Sequence, residues 1–399
     1  MKIRQILIFL LGLSIPFNNL GISVAGRSTS IGLFVTAMYF ISMFQYVKKI
    51  HSLQKYYGRV IWNILLYIIL FTFINMVNWV GYNTPIFPFS LFMCYFMFLL
   101  LLKHGLVDRK SLPICLYGIA FGGVLMSILY HFGIGVTIDI DERLVMFGEN
   151  SNMLGIYMGL SSIIILTDFI LRDDLKLAQH RFWFILCFIP IVNLLFATGS
   201  RTAFLIFAVS VLTIIIFYPT RSKFGKLLFM ATGMAVSMYA FLQLEKSNSV
   251  LFQRLLNTIE EGNVSGRDHI ASALIPFIEK SPIWGYGQTG YVDVAQQALQ
   301  KISIIGGVTY GYSPHNVILE ILLYCGFMGL LFWLFFWIRI FKQSYYLLIK
   351  RKLIMSTLLL VPIIACIFSG QLLTAKWAYV LFAYIMSEYY YSQKDIVVK

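Results

Sequence analysis

Charge is scarce in this chain. Asp, Glu, Lys and Arg make up 12% of its 399 residues, roughly half the share found in soluble domains. That excludes a soluble enzyme, which needs polar cover, and a disordered regulator, which needs high charge. Cysteine is sparse as well. The five present, Cys94, Cys115, Cys187, Cys325 and Cys366, fall within or beside apolar runs. An odd count in such places excludes a disulfide framework, and their spacing offers no zinc site. The chain also lacks a phosphate-binding glycine loop, an H-E-x-x-H pair and a paired-aspartate metal motif. Gly285-Tyr286-Gly287-Gln288-Thr289-Gly290 spells G-x-G-x-x-G. It follows no strand of a βαβ unit, so it is no dinucleotide site.

What is abundant is apolar: 59% of the residues, arriving in runs of about 18–22 residues that match the ~30 Å hydrocarbon thickness. The fold class this implies is all-α, a polytopic membrane protein whose partner is the lipid bilayer. Hydropathy predicts twelve transmembrane helices near 5–21, 29–47, 60–79, 86–102, 112–131, 152–171, 182–198, 202–219, 226–244, 315–341, 353–371 and 375–391. Ser23-Val24-Ala25 has the small-x-small form of a cleavage site but lies far from the first apolar run, which reads as an uncleaved span. With the N-terminus inside, the inner segments hold more than twice as many Lys and Arg as the outer ones. Basic residues resist translocation, so both termini are expected in the cytoplasm. The net charge of +14 is then a topology signal, with no nucleic-acid partner implied.

Two outer segments are unusual. One, 132–151, carries Asp139, Asp141, Glu142, Arg143 and Glu149. The other, 245–314, is far longer than the remaining loops, and long loops in compact proteins tend to be functional. Leu251, Phe252, Leu255, Leu256 and Ile259 share a helical face over 248–261, and Ile270, Leu274, Phe277 and Ile278 repeat the spacing before Pro282. Such helices either lie on the membrane or cap the bundle. The expected organisation is a single transmembrane domain, 1–399, with this loop carrying part of the site. No fixed-period repeat and no matched broken helices support a transporter.

Chemistry-bearing residues gather on that outer face. His315, in Tyr312-Ser313-Pro314-His315-Asn316, is expected in the first turn of the tenth span, with Ser313 as N-cap and Pro314 opening the helix. There it either accepts a substrate proton or hydrogen-bonds a loop carbonyl. Arg201 occupies a very short outer turn, against the charge bias, and either snorkels or binds an anion. Arg267, in Ser265-Gly266-Arg267-Asp268, is expected beside a helix capped by Ser265, a natural anion site, unless it merely pairs with Asp268. Arg143 has Asp139, Asp141 and Glu142 as ready partners. Glu320, about one and a half turns into the tenth span, is a costly intramembrane carboxylate of the kind that marks a polar cavity.

Together these residues resemble the O-antigen ligase and O-antigen polymerase superfamily. Ser200-Arg201-Thr202-Ala203-Phe204-Leu205 resembles its arginine–leucine motif. His315-Asn316, ten residues before Gly326, resembles its histidine–glycine motif. Gly266-Arg267 and Pro282-Ile283-Trp284-Gly285-Tyr286-Gly287 resemble its second arginine and Pro-x-x-Gly-x-Gly stretch. Gly148-Glu149-Asn150-Ser151-Asn152-Met153-Leu154-Gly155 resembles its Asn-Pro-Asn segment, with Ser151 where proline is usual.

The resemblance implies a GT-C-like, metal-independent, inverting glycosyltransferase of the bacterial inner membrane, without a cofactor and with its active site on the periplasmic face. The donor would be a glycan on undecaprenyl pyrophosphate, the acceptor a sugar hydroxyl on lipid A–core or on another lipid-linked repeat. Arg201 and Arg267 would hold the pyrophosphate and His315 would act as base, with Arg143, Asn316 and Glu320 as substrate contacts. Ligase and polymerase share these motifs. A flippase for lipid-linked sugars is the rival from another class.

Overall fold

A computed structural model describes residues 3–24, 27–47, 53–81, 83–139, 143–171, 181–217, 224–225, 227, 231, 242, 250–260, 266–305, 308–350, 354–370 and 372–397. Among them the protein is nearly all helix. The elements are α1 (Ile3–Ser14), β1 (Gly21–Val24), β2 (Arg27–Ser30), α2 (Ile31–Val47), α3 (Gln54–Val77), α4 (Phe89–Val107) and α5 (Ser111–His131). Next come β3 (Val136–Ile138), β4 (Leu144–Met146), α6 (Ser151–Leu171), α7 (Arg181–Ala197), α8 (Arg201–Phe217), α9 (Val250–Glu260), α10 (Arg267–Lys280) and α11 (Gly287–Leu299). The chain ends with β5 (Ile302–Ile305), β6 (Val308–Gly311), α12 (Val317–Ile349), α13 (Ile354–Leu358), α14 (Leu360–Ile367) and α15 (Lys376–Val397).

Four helices, Lys55–Val77, Phe89–Val107, Ser111–His131 and Val317–Ile349, are long and apolar enough to cross a membrane, and shorter apolar helices accompany them. This is an integral membrane protein. Helices occupy most of the windows that hydropathy marks. The expected span 226–244 lies largely outside the described residues, as do Asp141, Glu142 and Ser265.

α15 runs through the centre, with Trp377, Tyr379, Phe382 and Ile385 buried against α4 and α12. α1 lies on α5 so closely that a Cβ at Gly118 would fall 2.2 Å from the Phe9 carbonyl oxygen. Small residues that let helix backbones touch are how helices associate where lipid supplies no hydrophobic drive. At one end of the bundle Arg109 pairs with Glu388 at 2.9 Å. The other end gathers the hairpins and the helices of the long loop.

Several expectations need correction. α1 stops at Ser14, about 18 Å long at 1.5 Å per residue, short of a full span. Pro16 has no N–H for the Gly12 carbonyl, and Ile15 N donates to it instead at 3.1 Å, tightening the chain into a turn. The 353–371 window is two short helices, because Pro362 removes the donor that would continue the ladder to Leu358. The long loop holds a third helix, α11, that its sequence does not announce. Asn75 of α3 caps it from outside: its Oδ1 accepts the Gln288 N–H at 2.6 Å. The β5–β6 hairpin follows and docks on the α3–α4 connection, where Thr84 Oγ1 donates to the Thr309 carbonyl.

Candidate active site

The tight turn between α7 and α8 is the floor of the site. Ser200 is buried and caps α8, its Oγ accepting the Ala203 N–H at 3.3 Å. The cap fixes Arg201 as the first helical residue. α9 lies across this turn. Arg254 Nη1 donates to the Gly199 carbonyl at 3.2 Å, Arg201 donates to Thr258 Oγ1, and that hydroxyl donates to the Arg254 carbonyl. Arg143 passes beside Gly199 and pairs with Asp139 at 3.0 Å. Two arginines thus flank Gly199, and Arg201 follows two residues along the chain.

Arg267 is the first residue of α10, and the residue before it, Gly266, is left-handed at φ +67° without a side-chain cap bond. Gly266 holds the N-cap position, and Ser265, expected to cap this helix, lies outside the described residues. Arg267 is near enough to act electrostatically on both Arg201 and His315. Partial burial lowers its own pKa, so its charge is incompletely solvated and available to an anion.

His315 sits differently from expectation. Asn316, not Ser313, is the N-cap of α12: its Oδ1 accepts from Ile318 N at 2.9 Å and Leu319 N at 3.2 Å. His315 therefore lies just outside the helix, at φ +51°, with its N–H on Ser313 Oγ and its ring edge-on to Tyr312. The backbone of His315 rests on Gly370, beyond α14. Burial first, and then the Arg267 guanidinium, lower the imidazole pKa. The ring is held neutral and able to take a proton. Asn316 spends its oxygen on the cap and keeps only its amide nitrogen for a ligand.

The shift of helix start also moves Glu320 into the first turn of α12 rather than a turn and a half along it. Its carboxylate is hydrogen-bonded to Tyr324 and interacts with Tyr291 of α11 and Tyr67 of α3. It lines a cavity with Gln288, Tyr310 and Tyr324, and no described arginine lines that cavity.

Gly326 breaks α12. At φ 58° and ψ −160° it occupies a region nearly closed to other residues. The segment 282–286 straps across the break: Phe327 N donates to the Pro282 carbonyl at 2.8 Å, Met328 N to Ile283 at 3.3 Å, and Tyr286 N to Leu323 at 2.7 Å. A break inside a membrane helix strands backbone groups, and these bonds satisfy them. The Pro-x-x-Gly stretch and the histidine–glycine motif are thus two halves of one junction, with His315 at the far end of the short half-helix. Residues 185–334 match the family model of O-antigen ligase.

The matched segment contains Arg201, Arg254, Arg267, the strap, His315, Asn316, Glu320 and Gly326, while Arg143 and Glu149 lie before it. No curated protein matches the chain. Among the described residues no three His, Cys, Asp or Glu gather as metal ligands.

Arg254, Thr258 and Glu149 join the site only in the folded structure. Arg254 and Thr258 are four apart on α9, along one flank of the apolar stripe by which that helix is recognised, and this spacing is the available signal. Glu149 is 5% exposed, and its Oε2 has no partner among the described residues. Burial raises its pKa to about 7, against a lowering by the Asn150 N–H. The folded value exceeds the unfolded one, so stability is greatest below the ordinary carboxylate range and falls as pH rises to 7. Glu149→Gln removes that cost, on the order of 3 kcal/mol above pH 7. The variant is expected to melt several degrees higher than wild type at pH 8 and together with it at pH 4, measured by intrinsic fluorescence in detergent.

Proposed function

We propose that the protein transfers a glycan from undecaprenyl pyrophosphate to a sugar hydroxyl on lipid A–core, with inversion and without a metal. In this reading a GT-C-like helical bundle sits in the bacterial inner membrane, both termini are cytoplasmic, and the long loop and hairpins face the periplasm. The observation that carries it is Arg267 at the start of α10, within electrostatic reach of both Arg201 at the start of α8 and the imidazole of His315 just before α12.

Pyrophosphate is already a good leaving group, so neutralising its charge matters more than protonating it. Two guanidiniums can each grip phosphate oxygens in a bidentate fork. The acceptor oxygen attacks the anomeric carbon from the opposite face, and its proton passes to the His315 imidazole. The bond to the pyrophosphate oxygen breaks, and its electron pair leaves with the lipid carrier. Arg143 beside Gly199, the Asn316 amide and Glu320 in the adjoining cavity serve as substrate contacts.

The deciding experiment supplies purified protein with undecaprenyl-pyrophosphate-linked glycan in EDTA, with lipid A–core in one tube and donor alone in another. Transfer to the core that falls at least 10³-fold in His315→Ala is the expected result. A ladder in the donor-only tube would identify a polymerase. No transfer in either, with a donor accepted by a known relative, would overturn the enzyme reading. The pH profile gives a second check. The acid limb of kcat/KM, which reports the free enzyme, should fall below pH 6.5, and Arg267→Gln should move it upward by removing a neighbouring positive charge.

A further inference from the structure

Two cavities are lined by residues that flank His315 and Gly370 in the chain, and no described arginine lines either. One, of about 440 Å³, is lined by Glu320, Gln288, Tyr310 and Tyr324. The other, of about 340 Å³, is lined by Lys376, Asn18, Thr36 and Ser30. They share Phe89, Ser90 and Thr374 as a common wall, and each has the size of a small-ligand site. Their link to His315 is covalent and short. Glu320 lies five residues after His315, in the first turn of α12, and Leu373 and Thr374 lie three and four residues after Gly370, against which the His315 backbone rests.

Lys376 is the informative residue. Its Nζ donates to Asn18 Oδ1 at 3.0 Å and to Thr36 Oγ1 at 3.3 Å, both neutral, and among the described residues it makes no ion pair. An ammonium has three donors, so one is left for a ligand in the cavity. A half-buried cation without a carboxylate is costly unless an anion completes it. The first cavity has a different character: a carboxylate and an amide to bind hydroxyls, and rings that present apolar faces.

We infer that the paired cavities bind the acceptor, as a sugar bearing a phosphate or carboxylate, with its neutral ring beside Glu320 and its anionic group on Lys376. The role as acceptor rests on the transferase reading; the preference for an anionic sugar does not.

The test measures binding without turnover. Protein in phosphatidylcholine nanodiscs is titrated with glucose 6-phosphate, galacturonate and glucose, followed by saturation-transfer NMR. Both anionic sugars should bind at least tenfold more tightly than glucose. Lys376→Gln should bring all three level, Lys376→Arg should restore most of the difference, and Trp284→Ala, at an exposed position that lines neither cavity, should leave it unchanged. Ser90→Leu, at an exposed position that narrows the shared wall, should weaken all three together. Equal binding of the three sugars to wild type, or an unchanged preference in Lys376→Gln, overturns the assignment. Loss of sugar-phosphate binding when phosphatidylglycerol replaces phosphatidylcholine also overturns it, in favour of a lipid headgroup on Lys376. A protein that discriminates among the sugars but transfers nothing sinks the transferase reading alone.

Discussion

Valine at position 326 is expected to leave little folded protein. The Gly326 backbone lies at φ 58° and ψ −160°, and a Cβ there would stand 2.2 Å from the Ile283 carbonyl oxygen. Side chains pay one to three kcal/mol for such a conformation alone. The clash adds to this, because the strap would have to lift and release its three backbone bonds from a site with no water to replace them. Together these place the loss above about 4 kcal/mol, in the range reserved for a few named mechanisms. Fluorescence-detected size exclusion should show the monodisperse peak reduced at least tenfold, with Gly326→Ala less severe. Trp284→Ala is the control. That side chain is 52% exposed, and the strap holds by its backbone, so this variant should melt close to wild type. A Gly326→Val protein that melts normally would remove the broken-helix geometry.

Loss of either guanidinium should lower kcat by 10²–10³-fold, the usual effect of deleting one donor to a charge that develops during reaction. Arg201→Ala and Arg267→Ala are the variants, and the lysine replacements separate charge from shape. A lysine keeps the charge but not the planar fork, so each Lys variant should recover only part of the activity. The double alanine variant should fall by less than the product of the two single effects, because both cations act on one pyrophosphate. Single-turnover rates with saturating donor would report this directly. An alanine variant that keeps a third of the wild-type rate would end its assignment to the leaving group.

Much of the architecture could be read from composition, because the ~30 Å hydrocarbon layer imposes a length on every apolar run and charge bias orders the loops. α9 and α10 were legible from their apolar stripes. α11 was not, since its start is set by Asn75, more than two hundred residues earlier, and no local pattern encodes a cap supplied from another helix. The start of α12 was misplaced by a similar logic. Ser313 and Pro314 form a good opening on paper, but Asn316 caps two N–H groups and wins, leaving His315 outside the helix. The break at Gly326 was equally hidden, because an uninterrupted apolar run looks the same whether or not a distant strap completes a gap in it. Arg201, Arg267 and His315 could be singled out as unusual. Their proximity could not, as it depends on how α9 and α10 lie across the bundle.

The clamped break in α12 also makes a lever. α10 begins at Arg267 and runs into the strap; the half-helix follows His315 and ends at the same strap. The two residues therefore stand at the open ends of a V whose apex is bonded shut. With α10 about 21 Å long, a rotation of about 10° at the apex would carry Arg267 by about 4 Å. A displacement of even ~1 Å can cost a hundredfold in rate. The spacing between cation and base therefore depends on the angle those backbone bonds fix at the apex, remote from both. A small molecule wedged between Pro282 and Phe327 would disarm the site while leaving every reacting group intact.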